Sequence, residues 1–107
     1  MQHGFIKVGA AIPLVSVADT KYNTEQLIAM AHRAHEEGAE VTVFPELCIT
    51  GYTCGDLLTQ QTLLQEAENG VARFAEATKG YDNIYIIGAP IYVCGALYNC
   101  ALVMQQG

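Results

Sequence analysis

Residues 41–52 read VTVFPELCITGY, a stretch that combines a strand pattern, a proline and a carboxylate. Its first four residues, Val41–Phe44, are β-branched or aromatic and predict a short buried strand. Pro45 cannot donate a ladder hydrogen bond, so we expect strand pairing to stop there and Glu46 to project past the sheet edge. Open α/β sheets place their sites at the carboxyl ends of their strands, which makes Glu46 the first candidate functional residue.

The residues before this strand predict another strand and a helix. Phe5–Ile12 is nearly continuous in apolar character, as in a strand buried on both faces. The helix is predicted to begin at Asn23, with Gln26 completing a capping box, and to end at Gly38. Its apolar stripe at helical spacing consists of Leu27, Ala31, Ala34 and Gly38. Strand, helix and strand most economically form a right-handed βαβ unit with parallel strands.

A second helix and a β-hairpin are predicted after the motif. The helix has one apolar face, with Gly70 as a weak point and Gly80 as its stop. The residues of that face are Leu63, Leu64, Ala67, Val71, Phe74, Ala75 and Thr78. Strands are predicted at Ile84–Gly88, Ile91–Cys94 and Leu97–Met104, the last two joined by a Gly95-Ala96 turn. The fold class is therefore α/β, a βαβ unit followed by a helix and a β-hairpin.

Composition narrows the functions open to the chain. Lys and Arg number 5 against 11 Asp and Glu, and the formal charge of −6 argues against nucleic-acid binding. Hydrophobic residues make up 51% of the chain, which excludes disorder. A length of 107 residues leaves room for one small domain. Residues 84–104 carry no charge and are long enough to cross a bilayer, but their Gly, Pro and β-branched content favours two buried strands and no membrane contact.

The cysteines and histidines give weaker signals. Two pairs with C-x5-C spacing are formed by Cys48, Cys54, Cys94 and Cys100. This spacing matches neither a zinc knuckle nor a redox loop, so we interpret them as reduced thiols of a cytoplasmic protein. His32 and His35 lie one helical turn apart, but no third ligand is evident and no metal site is predicted. No Gly-rich stretch has the pattern of a phosphate-binding loop, so no cofactor site is predicted in these residues.

Glu46 admits two interpretations on its position alone. A carboxylate in low-dielectric surroundings can act as a general base whose proton affinity is set by burial and neighbouring groups. Most carboxylates at strand ends do no chemistry, and the alternative is a non-catalytic α/β module in which Glu46 only closes a strand.

The string VFPELCITGY, residues 43–52, resembles the first catalytic motif of the nitrilase or carbon–nitrogen hydrolase superfamily. Gly88-Ala89-Pro90 and Leu97-Tyr98-Asn99-Cys100-Ala101 resemble the later hairpin of that family, and the similarity covers essentially the whole chain. Within the superfamily, residues 3–5 and 48–57 look most like the amino-terminal glutaminase domain of glutamine-dependent NAD synthetases.

The resemblance implies a nitrilase-type αββα sandwich, of which residues 1–107 are the first part, and a catalytic triad of Glu, Lys and Cys. By motif position Glu46 is the catalytic base and Tyr52 is a candidate substrate-binding residue. A cysteine thiolate is then expected to attack the side-chain amide of glutamine. The ammonia is expected to serve ATP-dependent amidation of deamido-NAD to NAD in a second domain, where ATP and Mg bind.

The chain departs from the family pattern in one respect. None of its lysines, Lys7, Lys21 and Lys79, takes the motif position, and all its cysteines precede the place of the nucleophile. The resemblance therefore implies a glutaminase domain truncated before its catalytic Lys and Cys, inactive as a fragment. Another nitrilase-family amidase remains an alternative. Truncation is expected to leave a sheet face and a strand edge uncovered, which predicts a homo-oligomer.

Overall fold

The computed structural model describes residues 4, 6–51 and 61–107. Within them the elements are β1 (Val8–Ala10), α1 (Thr20–Glu36), β2 (Val41–Val43), α2 (Gln61–Thr78), β3 (Ile84–Val93) and β4 (Ala96–Gln105). The strands form one sheet in the order β1-β2-β3-β4. The first three strands are parallel, and β4 is antiparallel to β3. The predicted α/β class, a βαβ unit followed by a helix and a hairpin, is confirmed.

Both helices pack on the same face of the sheet. Tyr85, Ile87 and Ala89 alternate along β3 and are at most 1% exposed. They share a core with apolar residues of the helices, namely Leu27, Ile28 and Ala31 of α1 and Ala67 and Phe74 of α2. The Tyr85 hydroxyl also donates a 2.9 Å hydrogen bond to the carbonyl oxygen of Ala31. The apolar stripes of both helices are therefore buried against the same face of the sheet.

The opposite face of the sheet, called here the helix-free face, presents apolar side chains to solvent. Val43 is in register with Ile86, and Ile86 with Val103. Val8, Val43 and Val103 are 69%, 45% and 67% exposed. Sheets built from parallel strands usually bury both faces, so this face is chemically suited to cover by a further layer.

The start of α1 differs from the prediction. Asp19 is the N-cap, and its carboxylate accepts a 3.1 Å hydrogen bond from the backbone N–H of Tyr22. The helix therefore begins at Thr20, and Asn23 lies inside it, fully buried. The predicted capping box that begins at Asn23 is wrong, because Asp19 caps the helix four residues earlier and Asn23 lies inside it. Gly38 has a φ of +80° and ends the helix as predicted.

The hairpin is longer and more regular than predicted. β3 runs unbroken from Ile84 to Val93, so the two strands expected there are one. The turn is Cys94-Gly95, with φ values of +52° and +81°, and lies one residue earlier than the predicted Gly95-Ala96. Two positive φ values suit the right-handed twist of paired strands.

No helix among the described residues is long and apolar enough to cross a membrane.

The first two strands are shorter than predicted. β1 spans Val8–Ala10 and β2 spans Val41–Val43, against predictions that reached Ile12 and Phe44. Both parallel ladders contain only three paired positions, because the chain turns away from the sheet soon after Val43.

Candidate active site

Glu46 lies at the carboxyl end of β2, where the chain leaves the sheet. Just before Glu46, the Phe44 N–H donates a backbone hydrogen bond of 2.9 Å to the Ile86 carbonyl oxygen of β3. Glu46 is exposed and borders a cavity of about 280 Å³. The cavity lining includes Val43, Ile86, Gly88, Asn99 and Ala101. These positions alternate with the helix-facing row of the sheet, so the cavity opens on the helix-free face.

The surroundings of Glu46 differ from the low-dielectric setting that the sequence suggested. The side chain is open to solvent, and the cavity beside it is largely apolar. A layer placed over the helix-free face would exclude water from both and would strengthen electrostatic interactions there. The carboxylate is thus accessible to a reacting group, and its environment depends on what covers this face.

The turn after Glu46 has an unusual backbone conformation. Leu47 has a φ of +48°, a region that costs a non-glycine residue about 1–3 kcal/mol. Its carbonyl oxygen accepts hydrogen bonds from the N–H groups of Thr50 and Gly51, at 3.1 and 2.6 Å. Leu47 is also 8% exposed, so packing and hydrogen bonding together hold the strained conformation.

Gly88 of β3 lies directly against this turn. A Cβ on Gly88 would overlap the amide nitrogen of Leu47 and lie 2.8 Å from the carbonyl oxygen of Pro45 and 2.9 Å from the carbonyl carbon of Glu46. The Gly88 carbonyl oxygen accepts a 3.2 Å bond from the Ile49 N–H. Only glycine permits this approach, because all three atoms that a side chain would meet are backbone.

Cys48 adds a second link to Gly88. Its Sγ accepts a 3.4 Å hydrogen bond from the Gly88 N–H and donates to the Gly88 carbonyl oxygen at 3.6 Å. Burial raises the pKa of the Cys48 thiol above its ordinary value. The neutral form is therefore favoured, and the residue serves as a hydrogen-bonding thiol in the turn rather than as a thiolate nucleophile.

Asn23 links the same turn to α1 by hydrogen bonds. Its predicted role as the first residue of the helix did not include this contact. Its side-chain amide donates to the carbonyl oxygens of Ser16 and Ile49, at 2.8 and 2.9 Å, and accepts from the Ser16 N–H at 2.7 Å. The Ala18 N–H donates to the Thr50 carbonyl oxygen at 2.8 Å. A polar residue one turn before the apolar stripe was the only sequence signal for this contact.

Among the described residues, neither His32 nor His35 lines the cavity beside Glu46. Tyr52 lies outside the described residues. His32 and His35 both contact Tyr81, the first by a hydrogen bond to its hydroxyl and the second by stacking at 3.9 Å. Among the described residues no group of three His, Cys, Asp or Glu side chains is placed to bind a metal.

The lysines and the other cysteines have separate positions. Lys7 donates to the carbonyl oxygen of Glu37 at 2.6 Å, and Lys79 pairs with Glu76 at 2.8 Å, while the described lining of the Glu46 cavity contains no lysine. Free thiols among the described residues are Cys48, Cys94 and Cys100, and Cys100 borders that cavity. Cys54 lies outside the described residues. The described lining of the Glu46 cavity therefore contains a thiol but no lysine.

A family model of carbon–nitrogen hydrolases matches residues 8–107. The chain belongs to the carbon–nitrogen hydrolase family. The sequence is 32% identical over 106 residues to a glutamine-dependent NAD(+) synthetase of Mycobacterium bovis, a match that covers 99% of this chain. The chain spans only 16% of the length of that relative.

Two solved structures are similar to this chain. A glutamine-dependent NAD(+) synthetase from Cytophaga hutchinsonii superposes with a TM-score of 0.87 at 27% identity, covering 94% of this chain and 17% of that one. An amidase from Nesterenkonia sp. superposes with a TM-score of 0.81 at 15% identity, covering 99% of this chain and 40% of that one. The second likeness concerns the fold alone.

Proposed function

We propose that the protein containing this chain hydrolyses the side-chain amide of glutamine and supplies the ammonia for ATP-dependent amidation of deamido-NAD to NAD. The observation that carries the proposal is the position of Glu46, exposed at the end of β2 beside a cavity on the helix-free face. The similarity to glutamine-dependent NAD(+) synthetases along 99% of this chain supports the choice of substrate. The amidase likeness, at 15% identity, gives no comparable support to another amide.

Glu46 is assigned the role of general base. Its carboxylate takes the proton of a cysteine thiol while sulfur bonds to the amide carbon, and returns it to the leaving nitrogen, so that ammonia departs and a thioester remains. Water then adds to the thioester with Glu46 accepting its proton, and glutamate and the free thiol are released. A lysine, which like the cysteine belongs to the rest of the domain, stabilises the charge of the tetrahedral intermediate.

Residues 1–107 are proposed to be the amino-terminal portion of the glutaminase domain, ending before that lysine and cysteine. The fragment alone is accordingly proposed to be inactive, and ammonia release from glutamine by the purified fragment at enzyme-like rates would refute this. Tyr52 keeps its proposed place in the glutamine pocket. No cofactor is assigned to these residues, and ATP and Mg are placed in the synthetase domain. A cytoplasmic location is proposed, where the cysteines would stay reduced.

Self-association is proposed to involve the helix-free face. Val8, Val43 and Val103 are exposed there, and among the described strands β4 lies at the edge of the sheet, next to β3. Apolar faces and unpaired edges both promote association between copies of a chain. A homo-oligomer of the chain is the expected result.

The test is a Glu46→Gln substitution in the full-length product, assayed with glutamine and separately with ammonium chloride. We expect NAD synthesis from glutamine to fall by about 10² or more, and synthesis from ammonium to be unchanged, because only the first needs the base. Glu68→Gln, an exposed change on α2, is the matched control. Hydrolysis of other amides but not of glutamine would favour an amidase. Unchanged glutamine turnover in Glu46→Gln would favour a non-catalytic module.

A further inference from the structure

The turn that follows β2 and contains Glu46 is contacted by two other elements. Gly88 of β3 packs against its backbone, and Asn23 of α1 donates a hydrogen bond to it. We propose that Gly88 and Asn23 are positioning residues of the reaction, which set the direction of the Glu46 carboxylate. This proposal rests on the proposed function.

The contact with Gly88 acts directly on the backbone of Glu46. The two atoms at 2.8 and 2.9 Å from a hypothetical Cβ are the carbonyl oxygen of Pro45 and the carbonyl carbon of Glu46, the groups on either side of the Glu46 Cα. A methyl group at Gly88 has no flexible side chain to push aside. It therefore has to move the peptides that aim the carboxylate, and a displacement of about 1 Å can cost about 10²-fold in rate.

The contact with Asn23 acts one step further away. The amide group binds the carbonyl oxygen of Ile49, and Ile49 in turn donates to Gly88. Between these anchors Leu47 keeps its φ of +48°, a conformation that persists only where the surroundings enforce it. Loss of the amide frees one end of the turn, so we expect a smaller effect than at Gly88.

The first experiment compares Gly88→Ala with Gly80→Ala in the full-length enzyme. Gly80 is the matched control, because a Cβ added there meets nothing within 4 Å. We expect Gly88→Ala to lower kcat for glutamine hydrolysis by about 10²-fold with KM changed by less than about threefold, and to leave synthesis from ammonium intact. Gly80→Ala is expected to match the wild type in both assays.

The second experiment separates positioning from general loss of structure. If Gly88 acts through Glu46, Gly88→Ala causes no further loss of kcat in a Glu46→Gln background, whereas an independent structural role multiplies the two losses. Multiplied losses, or wild-type kcat in Gly88→Ala, would overturn the inference. If Gly88→Ala does not fold, the same cycle is run with Asn23→Asp, which keeps the side-chain volume but removes the amide donor, and Asn69→Asp is its control.

The proposed function and the inference fail in different ways. A wild-type enzyme without glutaminase activity, or one unaffected by Glu46→Gln, contradicts the proposed function. A wild-type enzyme that depends on Glu46 but tolerates Gly88→Ala and Asn23→Asp at full kcat contradicts the inference alone.

Discussion

The hydroxyl group of Thr24 on α1 occupies the space that a side chain at Gly70 on α2 would need. A Cβ added to Gly70 would lie 2.5 Å from Thr24 Oγ1 and 3.6 Å from a methyl carbon of Ile49. The glycine that looks like a weak point in the helix is therefore where the helices approach closely. Because Ile49 belongs to the turn after Glu46, this crossing also supports the candidate site.

Gly70→Ala is expected to destabilise the chain. Overpacking of a filled interior costs up to about 3 kcal/mol, which exceeds the gain of about 1 kcal/mol in helix propensity. Gly80→Ala, where a Cβ has open space, should not lower the urea midpoint. The measurement is urea unfolding of both variants by circular dichroism, and a Gly70→Ala midpoint clearly above the wild type would disprove the crowding argument.

The hairpin turn offers a stabilising substitution. Cys94 has a φ of +52° and is followed by Gly95 at +81°. Asparagine adopts positive φ more readily than cysteine, and Asn-Gly is the preferred pair for this turn. Cys94→Asn should raise the free energy of unfolding by about 0.5–1 kcal/mol. Cys94→Val should lower it, since β-branched residues resist positive φ, and equal unfolding midpoints for the two variants would argue against this turn geometry.

Stability is expected to fall at alkaline pH. Burial raises the pKa of the Cys48 thiol and of the Tyr85 hydroxyl in the folded chain. The unfolded chain loses these protons at the ordinary values of about 8.5 and 10, so the stabilisation is complete below that range and decreases as pH rises through it. Unfolding free energies measured at pH 7, 9 and 10 should show the fall.

Matched variants identify which side chains cause the loss of stability at alkaline pH. Cys48→Ala and Tyr85→Phe should each reduce the pH dependence, because each removes one group whose pKa is raised. Cys94→Ala and Tyr92→Phe, which alter exposed residues of the same two types, are the matched controls. A slope that is the same in all four variants would point to other titrating groups.

Association through the helix-free face can be measured directly. Val103 is 67% exposed on this face, and Val103→Lys places a charge on its edge strand, β4. We expect the sedimentation coefficient of the concentrated chain to fall towards that of a monomer, because burying an unpaired charge is costly. Ala72→Lys, on the exposed surface of α2, is the control and should sediment like the wild type.

Local sequence patterns predict most of the architecture. The 3.6-residue spacing of Leu27 and Ala31 identified α1, and Phe44 followed by Pro45 and Glu46 located the end of β2. The differences lie at element ends, as at the start of α1, where Asp19 rather than Asn23 is the N-cap. The unbroken course of β3 was missed because Gly88 and Pro90 interrupt strands in isolation but are accommodated within a hairpin.

The order of the elements, the family motif and the choice of Glu46 as the candidate base follow from residue types and short spacings along the chain. Two further features appear only in the folded chain: Gly88 and Asn23 contact the turn after Glu46, and Thr24 packs against Gly70. These contacts join residues distant in sequence. Their physical basis is the space and the hydrogen-bond partners that appear when two helices and a sheet pack together, and no local pattern encodes them.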